Sequence, residues 1–303
     1  MLVVLLICIS AVSAIGQASW QDLSRLARQR QAADDFRPAE SLWREALRLA
    51  EKQPGLAEKQ LAPLLSDLAL CLHFEARDAE AEPLAQRALS IAKESNDQRL
   101  TGLMLNILGI VLSGEGQKAR AEPVLRRSAA LLEEDSLDFA RAANNLAMLY
   151  QDTHQYARAE AEMTRVLPIY ERRLGENDPE SAQVLGNMFS ILAVQHRGDE
   201  GEPYLRRALA AGEKVFPGSL KMANLQVCLA ALEASREHLR DAARLLETAI
   251  ATEERILGPE HPELAHTLAC YARVLGRMHQ KTEAKNALHR ANMILKTSLS
   301  DVK

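Results

Sequence analysis

The stretch NNLAMLYQDTHQYARAEAE, Asn144 to Glu162, holds two helical faces and a turn. Leu146 and Ala147 stand side by side in its first half, a bulky and a small apolar residue. Ala159 stands in its second half, four residues before the bulkier Met163 and seven before Val166. This spacing of small, bulky and small residues returns at Ala39/Trp43/Ala46, Ala81/Ala85/Ala88, Ala121/Leu125/Ser128, Gly201/Leu205/Ala208, Ala242/Leu246/Ala249 and Ala284/Leu288/Ala291. Successive first positions lie 42, 40, 38, 42, 41 and 42 residues apart, so the chain is built on one repeated unit.

Twelve residues before each first position stands a second compact site: Ala27, Ala69, Gly109, Ala147, Phe189, Ala230 and Ala272, with Phe189 the exception in size. A large apolar residue precedes each one: Leu26, Leu68, Leu108, Leu146, Met188, Leu229 and Tyr271. Each unit therefore reads as two amphipathic helices, A and then B, joined by a short turn. Small residues on A facing small residues on B let the axes approach to about 8–10 Å. The turn positions include Gly116, which supplies a positive φ cheaply, and His154, His196 and His279. Histidine is among the residues enriched at positive φ, so these three are expected as turn residues rather than as a metal ladder. Helix breakers recur between units at Pro54-Gly55, Asn96-Asp97, Asp135-Ser136, Leu174–Pro179, Pro217-Gly218 and Leu257–Pro262. The seven units span about 20–55, 62–97, 102–136, 140–178, 182–217, 223–261 and 265–297, leaving 298–303 as a tail.

Composition agrees with helix throughout. Of 303 residues, 47% are hydrophobic and only 4% aromatic, less than the core of a compact enzyme usually carries. A net charge of −4 spread over mixed-sign helix faces argues against a nucleic-acid surface.

The first residues, MLVVLLICISAVSAIGQA, form an apolar run shorter than the ~20 residues of a membrane span, followed by small residues. Residues 1–18 are expected to be a secretory signal peptide, although no Lys or Arg precedes the apolar core. Export to the periplasm or the extracellular space follows, with an uncleaved membrane anchor through residues 2–18 as the alternative. Cys71, Cys228 and Cys270 would remain, an odd number that allows no complete disulfide framework. Cys228 and Cys270 hold equivalent places on neighbouring A helices, where matched Cα atoms stand about 8–10 Å apart. A disulfide needs less than ~7 Å, so both are expected as free thiols.

The layout resembles the tetratricopeptide repeat, a helix–turn–helix unit of ~34 residues with small residues at fixed places. Asn144–Tyr150 (NNLAMLY), Tyr156–Glu160 (YARAE) and Leu257–Pro262 (LGPEHP) resemble the kinesin-light-chain subtype, whose units are longer. Units four to seven fit that subtype best. Residues 20–297 carry the resemblance, and it implies an all-α, right-handed superhelical solenoid. In that family helix B often stops at a proline, where this chain has Glu51, Lys93, Glu133, Glu171, Glu213, Glu254 and Lys296; here helix B is expected to run on. On the last helix Lys285, His289, Asn292 and Lys296 form a polar stripe where an eighth unit would dock, as expected of a terminal cap.

The resemblance also implies a binding face. In such repeats the inner groove is lined by helix A, which here offers Asn106 in unit three and Arg141, Asn144, Asn145, Met148 and Gln151 in unit four. Unit five offers Gln183, Asn187 and Ser190, and unit six Asn224. Side-chain amides donate and accept at once, so they can grip the backbone of an extended peptide. Asn145 and Asn187 occupy the position where the family uses asparagine for this, while units six and seven have Cys228 and Cys270 there.

No phosphate loop and no HExxH zinc helix occurs. The two glycines of Ser113–Lys118 fall in a turn with no strand before it, and His261 and His266 lack further ligands at metal spacing. The expected function is that of a non-enzymatic scaffold without a cofactor, binding a protein or peptide segment in the groove of the A helices. A peptide-sensing regulator and a membrane-tethered assembly factor are the alternatives.

Overall fold

The computed structural model describes residues 19–175 and 177–300, the last three of these as backbone only. The expected signal peptide, the membrane-anchor alternative and the end of the tail lie outside the described residues. Among those described there are fourteen α-helices and no strand. Among the described residues, no helix is long and apolar enough to cross a membrane.

The chain divides into two compact units, with the boundary between Asp97 and Gln98. The first holds α1 (Trp20–Ala32) paired with α2 (Phe36–Lys52), and α3 (Leu61–Phe74) paired with α4 (Asp78–Glu94). The second holds five pairs. These are α5 (Gln98–Gly114) with α6 (Lys118–Leu131), α7 (Leu137–Asp152) with α8 (Tyr156–Leu174), and α9 (Pro179–Val194) with α10 (Gly198–Val215). The last two are α11 (Leu220–Ser235) with α12 (Leu239–Leu257) and α13 (Pro262–Arg277) with α14 (Lys281–Ser300). Odd-numbered helices are A and even-numbered helices are B.

All seven A–B turns share one chemistry. The residue five before each small B-helix position has a positive φ: Asp34, Ala76, Gly116, His154, His196, Glu237 and His279. That left-handed residue lets the next N–H reach back to a carbonyl five residues earlier, as Gln155 N does to Tyr150 O at 2.8 Å and Gln117 N to Leu112 O at 2.8 Å. Glycine and the three histidines follow expectation; Ala76 and Glu237 take the same geometry without any residue preference for it.

The LGxxxP loops are also explained. Gly175 (φ 83°) and Gly258 (φ 96°) end α8 and α12. Asp178 and His261 then accept the backbone N–H of Glu180 and Glu263, and Pro179 and Pro262 open the next helix. Ser136 and Ser219 cap α7 and α11 in the same way.

In the first six units the small-residue frame is the core; in the last, Leu288 is exposed. Trp43, Ala46, Ala159, Met163, Val166, Ala242 and Ala249 are fully buried. Phe189, the oversized residue of that frame, is matched by Gly201 opposite it, where a Cβ would come within 2.9 Å of the Phe189 ring. The large and small partners have exchanged helices. Glu160, at the end of the Tyr156–Glu160 stretch, is half-buried and accepts from Arg197 at 2.7 Å. One expectation needs correction. On α14, Lys285, His289, Asn292 and Lys296 are exposed, but so are Leu288, Met293 and Leu295, so the outer face of that helix is mixed rather than polar.

Candidate functional site

Within the second unit the alternate helices that approach one another are A helices: α5 with α7, α7 with α9, α9 with α11 and α11 with α13. Their close spacing makes the A side the inner side of that unit. Side chains one repeat apart therefore meet across it.

They meet as amide rungs. Asn145 donates Nδ2–H to Asn106 Oδ1 at 3.0 Å, and Asn187 donates to Asn144 Oδ1 at 3.0 Å. Gln151 Nε2 donates to Ser190 Oγ at 2.8 Å, and its carbonyl oxygen is buried with no hydrogen-bond partner among the described residues. Each Asn–Asn rung uses one N–H and one carbonyl, so both residues keep hydrogen-bonding capacity for a third partner. The rungs fix the plane of each amide.

Ion pairs run parallel to the rungs. Arg99 Nε donates to Asp138 at 2.7 Å, and Arg141 makes a two-pronged contact with Glu180 at 2.8 Å through Nε and Nη2. Arg141 was expected on the binding face, open to a ligand. Its hydrogen bond to Glu180 raises its pKa and occupies its planar fork, so the carboxylate it reads is that of the next A helix.

The remaining candidates lie further along. Gln183 and Asn224 are exposed, and with Lys221, Asn187, Gly186 and Cys228 they line a depression of about 40 Å³ between α9 and α11. Met148 is half-buried on α7. Of the amides expected on the binding face, Asn106 is buried, only 7% exposed.

A larger cavity, about 500 Å³, opens on the other face of α7, between α6 and α8. Arg158 lies over the Tyr150 ring at 4.5 Å and Arg165 over Phe139 at 5.2 Å, with Arg126 completing the wall. Glu134 and Glu162 pair with Arg165, so its charge is met within the protein. None of the residues expected at the binding face lines it. Further along, Arg–Glu pairs tie α8 to α10 and to the turn before it: Arg207–Glu171 at 2.7 Å and Arg197–Glu160 at 2.7 Å.

Sequence reasoning missed Asp138, Glu180 and Lys221. A usable signal existed: Asn106/Asn145, Arg99/Asp138, Arg141/Glu180 and Gln151/Ser190 are complementary pairs all 39 residues apart. His154, His196 and His279 each sit in a separate turn, and among the described residues no group of three His, Cys, Asp or Glu could hold a metal ion. Cys71, Cys228 and Cys270 are free thiols.

Two family models, both described as tetratricopeptide repeat, match the chain, one over residues 60–134 and the other over 139–180 and 223–263. Together they cover just over half of it. No curated protein matches the sequence. Among solved structures, the Rap conjugation gene regulator of plasmid pLS20 in complex with the Phr* peptide superposes with a TM-score of 0.76 at 12% identity, over 94% of this chain and 75% of that one. A Rap protein complexed with competence and sporulation factor gives 0.75 at 14% identity, over 93% and 76%. Kinesin-light-chain TPR-like repeats from Podosopora anserina give 0.52 at 17% identity, over 65% and 96%. With seven helix pairs in one small-residue register and these matches, the chain belongs to the tetratricopeptide-repeat family.

Proposed function

We propose that this chain is a protein-interaction scaffold whose A-helix face, from α5 to α11, holds an extended peptide segment of a partner protein. The observation that carries this is the set of amide rungs. Asn106–Asn145 and Asn144–Asn187 present oriented donors and acceptors on three successive A helices, as a peptide backbone with its alternating N–H and C=O groups requires. Gln183, Asn224 and Lys221 extend this polar track beside the last rung. Two proteins of similar fold have been solved in complex with the Phr* peptide and with competence and sporulation factor, which supports a fold able to hold such ligands.

The experiment is site-specific photo-crosslinking in native cells, with extracytoplasmic and cytoplasmic fractions kept apart. A crosslinker at Gln183 or Asn224 should capture a partner; one at Arg206, exposed on α10, should not. The captured segment, made as a peptide, should bind Gln183→Ala and Asn224→Ala about two- to tenfold more weakly, the loss of one hydrogen bond worth about 0.5–1.5 kcal/mol. Capture only from Arg206 would move the site to the B-helix face.

A further inference from the structure

Helix α13 carries a group of side chains that the binding role leaves unused. Cys270 lies one turn beyond His266 and three residues before Arg273, so all three share a face. His266 Nε2 stands 3.8 Å from the Cys270 sulfur, and Arg273 Nη2 donates to the same sulfur at 3.4 Å. The sulfur itself is half-buried against the core around Ala230, Ala242 and Val274, while His266 and Arg273 are exposed. Two donors able to carry positive charge thus converge on one partly accessible thiol.

The other two described cysteines are placed in the opposite way. Cys71 is buried and donates its S–H to Phe36 O at 3.2 Å, and burial pushes its pKa up to about 12. Cys228, at the equivalent position on α11, is also pushed up to about 12 by burial, with the charge of Cys270 adding to the effect. For Cys270, burial again works to raise the pKa, but His266 and then Arg273 outweigh it and hold it below the ordinary thiol value. From α12, the carboxylate of Glu253 raises His266, whose largest support is its contact with Cys270. On α11, Cys228 is the thiol that feels the charge of Cys270.

A thiol reacts as its thiolate, so the fraction ionised near neutral pH and the access to the sulfur decide which cysteine is attacked first. We propose that Cys270, held between His266 and Arg273, is the covalent modification site of this chain and undergoes thiol–disulfide exchange with low-molecular-weight disulfides. The Cys270 thiolate attacks one sulfur of R–S–S–R; the Cys270–S bond forms as the S–S bond breaks. Cys270 is oxidised, and the departing R–S⁻ is reduced and takes a proton from the His266 imidazolium or from water. The disulfide is the only oxidant needed. The mixed disulfide persists because the neighbouring Cys228 stays protonated and cannot displace it. The adduct projects from the same register position that Asn145 and Asn187 hold on earlier A helices.

The test uses the reduced full-length chain and glutathione disulfide as the probe, from pH 6 to 9, with quenching by alkylation and peptide mass spectrometry. Cys270 should acquire the adduct at least about tenfold faster at pH 7 than Cys71 or Cys228, with a midpoint below the ~8.5 of a free cysteine. The double variant His266→Gln/Arg273→Gln, both at exposed positions, should keep the parent circular dichroism spectrum. Its midpoint should move upward and its rate at pH 7 fall by about fivefold or more. Cys270→Ser should abolish the fast adduct. First modification at Cys71 or Cys228, no adduct, or a double variant that reacts like the parent would overturn the assignment.

Discussion

Asn145 on α7 donates its side-chain amide to the carbonyl oxygen of Asn106 on α5, 3.0 Å away and 39 residues earlier in the chain. Asn106 is buried and Asn145 only half-buried, so the bond is structural before any ligand arrives. Removing the donor leaves a buried acceptor unpaired, at a cost of about 1–3 kcal/mol. Asn145→Ala should therefore lower the stability of the second unit by that amount in chemical denaturation. The paired Asn106→Leu/Asn145→Leu variant should cost less than the two single leucine changes together, because it leaves no polar orphan.

The turn residues offer a gain instead. Ala76 holds φ 57° where its equivalent in the next repeat, Gly116, holds 77°. A Cβ in the left-handed region costs roughly 1–2 kcal/mol, partly offset by the extra freedom glycine has in the unfolded chain. Ala76→Gly should stabilise the first unit by about 0.5–1 kcal/mol, and Gly116→Ala should destabilise the second by a similar amount. Matched thermal melts of the two variants check both signs.

Close packing of A on B sets a third expectation. A Cβ added at Gly109 would lie 2.5 Å from the Leu125 side chain, which is 1% exposed and has no space to retreat into. Alanine is the better helix former by about 1 kcal/mol. Overpacking of a tight core costs about 1–3 kcal/mol, so the clash should win and Gly109→Ala should be destabilising. Ala147→Leu and Ala242→Leu, at buried frame positions, should behave likewise. A fluorescence or circular dichroism denaturation series decides it; a more stable Gly109→Ala would mean that α5 and α6 can part without loss.

How much of this was legible in the chain depends on the range of the interaction. The small-residue frame was, because helix–helix approach selects Ala or Gly at Ala81, Ala159 and Gly201 regardless of what lies beyond the pair. The turns at Gly116, His154, His196 and His279 were legible where the residue itself prefers positive φ, and not at Ala76 or Glu237, where the backbone bond alone imposes it. The candidate face was legible as a set of residues but not as a set of bonds. Asn144 and Asn145 read as free amides because their partners, Asn187 and Asn106, stand about a repeat away. Arg141 misled for the same reason: Glu180 completes it from another helix.

One buried acid should govern how stability responds to pH. Glu253 on α12 is 3% exposed; Thr267 donates to its Oε1 at 2.9 Å, and Oε2 is buried with no partner among the described residues. Burial pushes its pKa up from 4.5 to about 7; the Thr267 hydrogen bond works downward, Glu263 and Glu254 upward, and His266 downward. Because the folded value exceeds the unfolded one, the folded chain keeps a proton that the unfolded chain gives up between those two pH values. The stability tied to this group is thus complete below pH 4.5, falls as pH rises to about 7, and then stays level. At 1.36 kcal/mol per unit, a shift of this size corresponds to about 3 kcal/mol. Glu253→Gln removes the titration, keeps an acceptor for Thr267 and preserves the volume. The variant should match the parent near pH 4.5 and exceed it by up to about 3 kcal/mol at pH 8. Denaturant unfolding of both proteins at the two pH values reads the difference directly, since every other titrating group is common to them. If the gap between variant and parent is the same at both, Glu253 is already ionised in the fold, and water or a rearranged side chain must be reaching its second oxygen.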